Sequence, residues 1–247
     1  MSSERQYRRE LSLFGKMLHD RGYVAAMDGN LSVRLDEDRI LATPTSMCKG
    51  MMRPSDMVVV DLDGHCVRGQ HCVSSEIGMH LLIYRMRPDI QGVVHAHPVT
   101  ATGFAAAGMA LNQPLVSEVV LGLGSIPLAR YGTPGTSELW EALEPFVPDY
   151  DAILMANHGV VSYGTTLHQA YMKMETVEHF AQITLVTHQL GRQEPLGQEE
   201  VEKLVAARSK YQGSKSAARL PVGIPYDEAS GEFPERAAKR RPITRQR

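Results

Sequence analysis

Apolar positions along the chain fall into short runs whose period changes, and the period predicts most elements. Over residues 4 to 22, Leu11, Phe14, Met17 and Leu18 recur at three- and four-residue spacing before Arg21-Gly22, which predicts an amphipathic helix with a stop. From Asp28 the period drops to two. Gly29-Asn30 has turn chemistry, Leu31 to Leu35 alternates, Asp36-Glu37-Asp38 makes a polar tip and Arg39 to Ala42 returns, so this stretch reads as a β-hairpin. Thr43 to Gly50 is a loop of small residues, and Met57 to Asp61 is a strand ending at the Asp63-Gly64 turn. Ile77, Leu81 and Tyr84 follow Ser74-Ser75-Glu76 at helical spacing, which predicts a serine-capped helix closed by Arg87-Pro88.

Val93 to His97 reads as a short buried strand stopped by Pro98, followed by an Ala/Gly-rich helix over Thr100 to Ala110. Val119 to Leu123, Ile126 to Ala129 and Ala152 to Met155 read as short strands. Thr136 or Ser137 caps a helix running to Pro145, Leu167 to Leu190 is the longest helical stretch, and Gln198 to Tyr211 is another. Hairpins among interspersed helices exclude a purely parallel doubly wound sheet and predict a layered α/β sandwich with a mixed or antiparallel sheet.

Composition narrows the class. The chain is 43% apolar and 22% charged over 247 residues, with no apolar run near the ~20 residues of a membrane span. Its polar start, Met1 to Glu10, is unlike a signal peptide, so a cytoplasmic address is expected. Cys48, Cys66 and Cys72 form neither an even set nor a CxxC pair, so neither a disulfide framework nor a cysteine-only zinc site is indicated. The net charge of −2 hides an asymmetry: residues 213–247 carry eight basic and four acidic side chains, leaving −6 on residues 1–212. We therefore expect one domain over 1–212 and a basic, flexible tail over 213–247. The tail places no aromatic platform beside its last basic run, so it reads as solvated and not as a nucleic-acid site.

Ten histidines occur. His19, His65, His71, His80, His168, His179 and His188 sit among polar residues or on expected helix surfaces without a pattern. His95 and His97 stand two apart on a strand, so both project from one face about 6.6 Å apart. Alone, such a pair fits a metal pair or satisfied core residues equally well. His158 shifts the balance to metal: it closes a second apolar strand, and Gly159 behind it permits close approach. Three histidines with an optional carboxylate meet the needs of a catalytic zinc, and Glu76 is the leading carboxylate. Ser74 and Ser75 at a helix start, with the small donors of Gly29-Asn30 and Thr45-Ser46, predict an anion pocket beside the metal. Lys49 and Lys173 are the only lysines between residues 17 and 202; both read as solvated, so lysine Schiff-base chemistry is not expected.

The ordered set Gly29-Asn30-Leu31-Ser32-Val33-Arg34, Thr43-Pro44-Thr45, Ser74-Ser75-Glu76, His95-Ala96-His97, Tyr131 with Gly135-Thr136, and His158-Gly159 resembles the class II aldolase/adducin family, over roughly residues 5 to 211. The resemblance implies a three-layer αβα sandwich assembled as a homotetramer with active sites between subunits. It implies one zinc per subunit on His95, His97 and His158, with Glu76 as displaceable fourth ligand and catalytic acid/base. It also implies phosphate contacts from Gly29, Asn30, Thr45, Ser46, Ser74 and Ser75, and matches Tyr211 to the family's C-terminal tyrosine, which enters a neighbour's site as a catalytic group. The implied activity is a lyase reaction: zinc-dependent cleavage of a ketose 1-phosphate to dihydroxyacetone phosphate and an aldehyde through an enediolate. A sugar-phosphate 4-epimerase or a sugar-acid phosphate decarboxylase would use the same zinc site, and an adducin-like binding protein would use none of it. Two departures from relatives specific for fuculose phosphate stand out. Ser46 replaces a glycine, and Pro114 to Val120 lacks a tyrosine.

Overall fold

The computed structural model describes residues 3–212, with side chains through Arg208. The predicted hairpin forms. Strand β1 (Asn30–Arg34) pairs antiparallel with β2 (Arg39–Ala42), and Asp36 Oδ1 closes the tip by accepting from the backbone N–H groups of Asp38 and Arg39 at 3.2 and 2.9 Å. The chain before it is helix α1 (Glu4–Asp20), whose N-cap Ser3 accepts from Gln6 N.

After the hairpin come β3 (Val58–Asp61), β4 (Cys66–Arg68), α2 (Ile77–Met86), β5 (Gly92–Ala96), α3 (Val99–Ala106), α4 (Ser117–Gly122) and β6 (Leu128–Ala129). Helix α5 (Ser137–Leu143), β7 (Ala152–Met155), β8 (Gly159–Gly164), α6 (Leu167–Gln189) and α7 (Gln198–Gln212) complete the described chain. The eight strands form one sheet in the order β4-β3-β2-β1-β5-β8-β7-β6. Every neighbouring pair is antiparallel except β6 with β7, so the sheet is mixed, as the hairpins required.

Side-chain alternation divides the core between two faces. Leu31, Val33, Val94 and Val160 pack with Leu11 and Leu18 of α1 and Met174 and Val177 of α6. Ile40, Val93, Val161 and Tyr163 pack with Met79 and Ile83 of α2 and Leu139 of α5. Helices thus cover both faces, giving the three αβα layers. Among the described residues no helix is long and apolar enough to cross a membrane.

Three local expectations are corrected. Residues 117–122 form α4, not a strand: buried Val119, Val120 and Leu123 fall at helical spacing, which a short apolar run does not reveal. Strand β8 was not expected, because Ser162 and the glycines interrupt its apolar run; all six of its residues are nonetheless buried, and Ser162 Oγ donates to Ala170 O at 2.8 Å. Helix α2 begins after Glu76, which is its N-cap, and no side chain caps it. Ser74 Oγ accepts instead from the backbone N–H of Glu76 at 3.3 Å, forming a turn before the helix. The tail over 213–247 lies outside the described residues.

Candidate active site

Strand β5 lies at the centre of the sheet between β1 and β8, and its end carries the histidine pair. His95 is fully buried, and His97 follows the strand directly. His158 sits in the turn between β7 and β8 and does not close a strand as expected. Asn157 supplies the left-handed residue that this turn needs (φ 55°). The three imidazoles form a near-equilateral triangle with centroids 4.8, 4.8 and 5.1 Å apart. Two glycines permit that approach. A Cβ on Gly159 would stand 2.5 Å from His97 Cδ2, and one on Gly29 (φ 73°) would stand 2.8 Å from His95 O.

The donor set fits a divalent transition metal. His95 Nδ1 donates to Val160 O at 2.9 Å, which leaves the Nε2 lone pair facing the other rings. His97 turns Nδ1 to Asp28 Oδ2 at 3.5 Å and brings Nε2 to 3.1 Å from His95 Nε2. One ligand nitrogen from each of the three rings lies within 4.8 Å of the others. Glu76 closes the group, with Oε2 at 3.3 Å from His95 Nε2 and Oε1 at 3.0 Å from His158 Nε2. Glu76 Oε1 is buried without a hydrogen-bond partner, as is His158 Nδ1. An orphaned carboxylate oxygen facing a cluster of imidazoles is what an ion would satisfy.

For His97 the electrostatics agree with that donor set, while burial at His95 is outweighed by the charge of Glu76, which raises it. Burial, reinforced by the charges of His95 and His158, pushes His97 down to about 3, so it is the neutral imidazole that ligation requires. Burial alone would raise the Glu76 carboxyl. The neighbouring His95 and His158 outweigh it and hold Glu76 far below the usual carboxylate range.

Behind Glu76 runs a buried hydrogen-bond chain that β1 and α2 build between them. The alternation of β1 sends Leu31 and Val33 into one core and Asn30 and Ser32 under α2. Asn30 Nδ2 donates to Glu76 Oε2 at 2.8 Å and to Ser74 Oγ at 3.1 Å. Its Oδ1 meets His80 Nε2 at 2.5 Å, His80 Nδ1 meets Ser32 Oγ at 2.6 Å, and Ser32 Oγ meets Tyr84 OH at 2.8 Å. The direction of the chain is determined by its end. An ionised carboxylate only accepts, so Asn30 must present Oδ1 to His80, His80 must carry its proton on Nε2, and Ser32 must donate to Nδ1. Burial, with the charge of His95, pushes His80 down to about 3, which keeps it in that neutral form.

His80 was expected on a surface and is instead 1% exposed. Glu76, His80 and Tyr84 recur at four-residue spacing, and that was the available signal. His80→Leu is expected to strand Asn30 Oδ1 and to leave Ser32 Oγ with Tyr84 OH alone, lowering unfolding free energy by about 1–3 kcal/mol in urea titration. A loss within the ~0.5 kcal/mol of surface substitutions would show that the chain is not held this way.

In front of the cluster opens a cavity of about 310 Å³. Gly29, Asn30, Thr45, Ser46, Ser74, Ser75, Glu76, His97 and His158 all line it, so nine sequence-predicted site residues converge on one space. Ser46 holds a left-handed backbone (φ 55°) at the position read as glycine in some relatives. Tyr131 is 52% exposed and is not on the cavity wall. Tyr211 lies in α7, and its side chain is outside the described set. The lysine expectations are corrected. Lys49 is buried and lines the cavity, and Lys173 is held by Asp151 Oδ2 at 2.7 Å and Tyr163 O at 3.0 Å.

Residues 9–185 match the Class II Aldolase and Adducin N-terminal domain family. The chain belongs to this family. It is 34% identical over 190 residues to a 3-oxo-tetronate 4-phosphate decarboxylase of Pectobacterium atrosepticum, covering 75% of this chain and 87% of the relative. It is 33% identical over 208 residues to a 5-deoxy-D-ribulose 1-phosphate aldolase of Bacillus thuringiensis serovar kurstaki, covering 83% and 95%. Among solved structures, an L-fuculose 1-phosphate aldolase superposes with a TM-score of 0.78 at 30% identity, covering 86% of this chain and 98% of that one. The protein is a class II aldehyde-lyase type of enzyme. Class II aldolases use a divalent metal ion, and among the described residues the histidine triad is a group that can hold one. Sequence reasoning missed three residues placed at or behind this cavity: Asp28 behind His97, His80 behind Asn30, and Lys49 in the cavity wall.

Proposed function

We propose that the protein is a zinc-dependent aldolase that splits a ketose 1-phosphate into dihydroxyacetone phosphate and an aldehyde. One observation carries this reading: a single cavity is lined both by small neutral donors and by His97, His158 and Glu76. A substrate with a phosphate at one end and hydroxyl and carbonyl oxygens one or two carbons away presents oxygens to both sets.

The chemistry a divalent cation supplies on His95, His97 and His158 is that of a Lewis acid for oxygens that gain negative charge. The imidazoles themselves hold position and carry no proton step. The loop hydroxyls and backbone N–H groups at Thr45, Ser46, Ser74 and Ser75 anchor the phosphate end. Glu76 Oε2 is occupied by Asn30, so Oε1 is the atom left to exchange a proton with the carbon of the ketone fragment. In cleavage the carbon–carbon bond beyond that carbon breaks with its electron pair left on the ketone fragment, the hydroxyl on the departing carbon gives up its proton as the aldehyde forms, and one proton reaches the ketone-fragment carbon through Glu76 Oε1, which takes it up, passes it on and ends ionised as it began. Tyr211 is the group we assign to the hydroxyl proton, on the match of Lys210-Tyr211-Gln212 to the family's C-terminal tyrosine.

A second reading has specific support. The similarity to a 3-oxo-tetronate 4-phosphate decarboxylase fits release of CO₂ on the same site. Product analysis separates the readings. The zinc-loaded full chain, given 5-deoxyribulose 1-phosphate, fuculose 1-phosphate and a 3-oxo-tetronate 4-phosphate, is expected to yield dihydroxyacetone phosphate and aldehyde in equal amounts from a ketose 1-phosphate. CO₂ with dihydroxyacetone phosphate from the 3-oxo-tetronate 4-phosphate, and no aldehyde from either ketose 1-phosphate, would replace the aldolase reading with the decarboxylase. Inverted configuration without fragments would replace it with an epimerase.

A further inference from the structure

Lys49 opens a 3-10 turn, Lys49–Met51, that packs against α1 beside Gly15. It is 1% exposed, and its Nζ donates to Met27 O at 2.8 Å and to Met47 O at 2.7 Å. Met27 precedes Asp28-Gly29-Asn30, and Met47 follows Thr45-Ser46. One ammonium therefore ties together the two loops that supply neutral donors to the cavity. Among the described residues no carboxylate oxygen lies within the 4.0 Å of an ion pair with it. Among the described residues Lys49 is also the only lysine or arginine on the cavity wall.

A buried cation without a counter-charge is strongly disfavoured unless a ligand supplies one. Burial pulls the Lys49 ammonium down from the usual lysine range, while the charges of Asp28 and Glu76 oppose that loss. Two of its three N–H donors are used on carbonyls, and one remains. We propose that Lys49 is the charged contact of this cavity for a phosphate monoester, its remaining N–H pairing with the phosphate while the other two hold the donor loops in place. The proposal rests on reading the cavity as the phosphate end of the active site, and it adds the cation that the neutral donors lack.

Inorganic phosphate, titrated calorimetrically into the zinc-loaded full chain, provides the test. Lys49→Gln retains an N–H donor for the loop carbonyls and removes the charge; Lys49→Met removes both. Phosphate is expected to bind ten- to a hundredfold more weakly to both, about the contribution of a hydrogen bond between charged groups. Zinc content and the unfolding temperature measured without phosphate should stay near wild type in Lys49→Gln. Unchanged phosphate affinity in either variant would overturn the proposal, as would acetate binding the wild type as tightly as phosphate.

A measurement on the wild type covers the case in which neither variant folds. Phosphate is expected to shift the ¹⁵Nζ signal of Lys49 and to leave that of Lys173, which is paired with Asp151, in place; an unshifted Lys49 signal overturns the proposal. The two readings fail separately. Lys49-dependent phosphate binding without cleavage of any ketose phosphate removes the aldolase reading alone, and cleavage with Lys49-independent binding removes only the role of Lys49.

Discussion

Glu76→Gln is expected to lower kcat by about 10²–10⁴-fold, the contribution of a positioned acid/base, while zinc content stays close to wild type. Glutamine preserves the volume and the carbonyl oxygen that accepts from Asn30 Nδ2. It cannot hold a proton at the position of Oε1, which is the oxygen free of hydrogen bonds. All three imidazoles remain, and His95 stays oriented by Val160 O. Metal analysis beside steady-state kinetics decides the matter. If Glu76→Gln turned over at the wild-type rate, Glu76 would be an N-cap of α2 and nothing more.

Removing the metal is expected to abolish cleavage, with zinc restoring it to the wild type but not to His95→Ala. A site-bound zinc that lowers the pKa of water from about 15.7 to about 7 provides about 12 kcal/mol of oxyanion stabilisation at ~1.4 kcal/mol per unit. A hydrogen bond to a charged group supplies only about 1.5–3 kcal/mol, so no donor at the cavity replaces it. His95→Ala also leaves a buried cavity and an unpaired Val160 O; circular dichroism and urea unfolding will separate lost folding from lost ligation. Full activity in chelated, zinc-free protein would exclude His95, His97 and His158 from the chemistry.

Much of this site was legible in the chain itself. The period-two spacing of His95 and His97, with His158-Gly159 further on, named the triad, because strand geometry makes same-face neighbours of residues two apart. The small-residue loops named the anion side. The structure then brings those loops and two of the three histidines to one cavity wall, with His95 buried behind them.

What escaped shows why burial is hard to read locally. Asn30 and Ser32 alternate with Leu31 and Val33 as the polar face of a half-exposed strand would. They are buried because α2, more than 40 residues later, covers them and supplies His80 and Tyr84 as partners. Lys49 has the sequence context of a solvated loop lysine. It is buried because α1 closes over its turn and because two carbonyls from separate segments accept from it. Strand β8 looked too interrupted to be a strand, and its polar Ser162 is satisfied only by Ala170 O of α6.

The sequence by itself determined the element types with strong periodicity, the mixed character of the sheet and the identity of the metal-competent residues. These depend on dihedral preference, side-chain parity and ligand chemistry, all of which act over a few residues. Only the tertiary structure decided which polar groups are buried, what satisfies them and which way their protons point. Those outcomes depend on desolvation, and whether a histidine or lysine loses its water is settled by segments that are distant in the chain and adjacent in space.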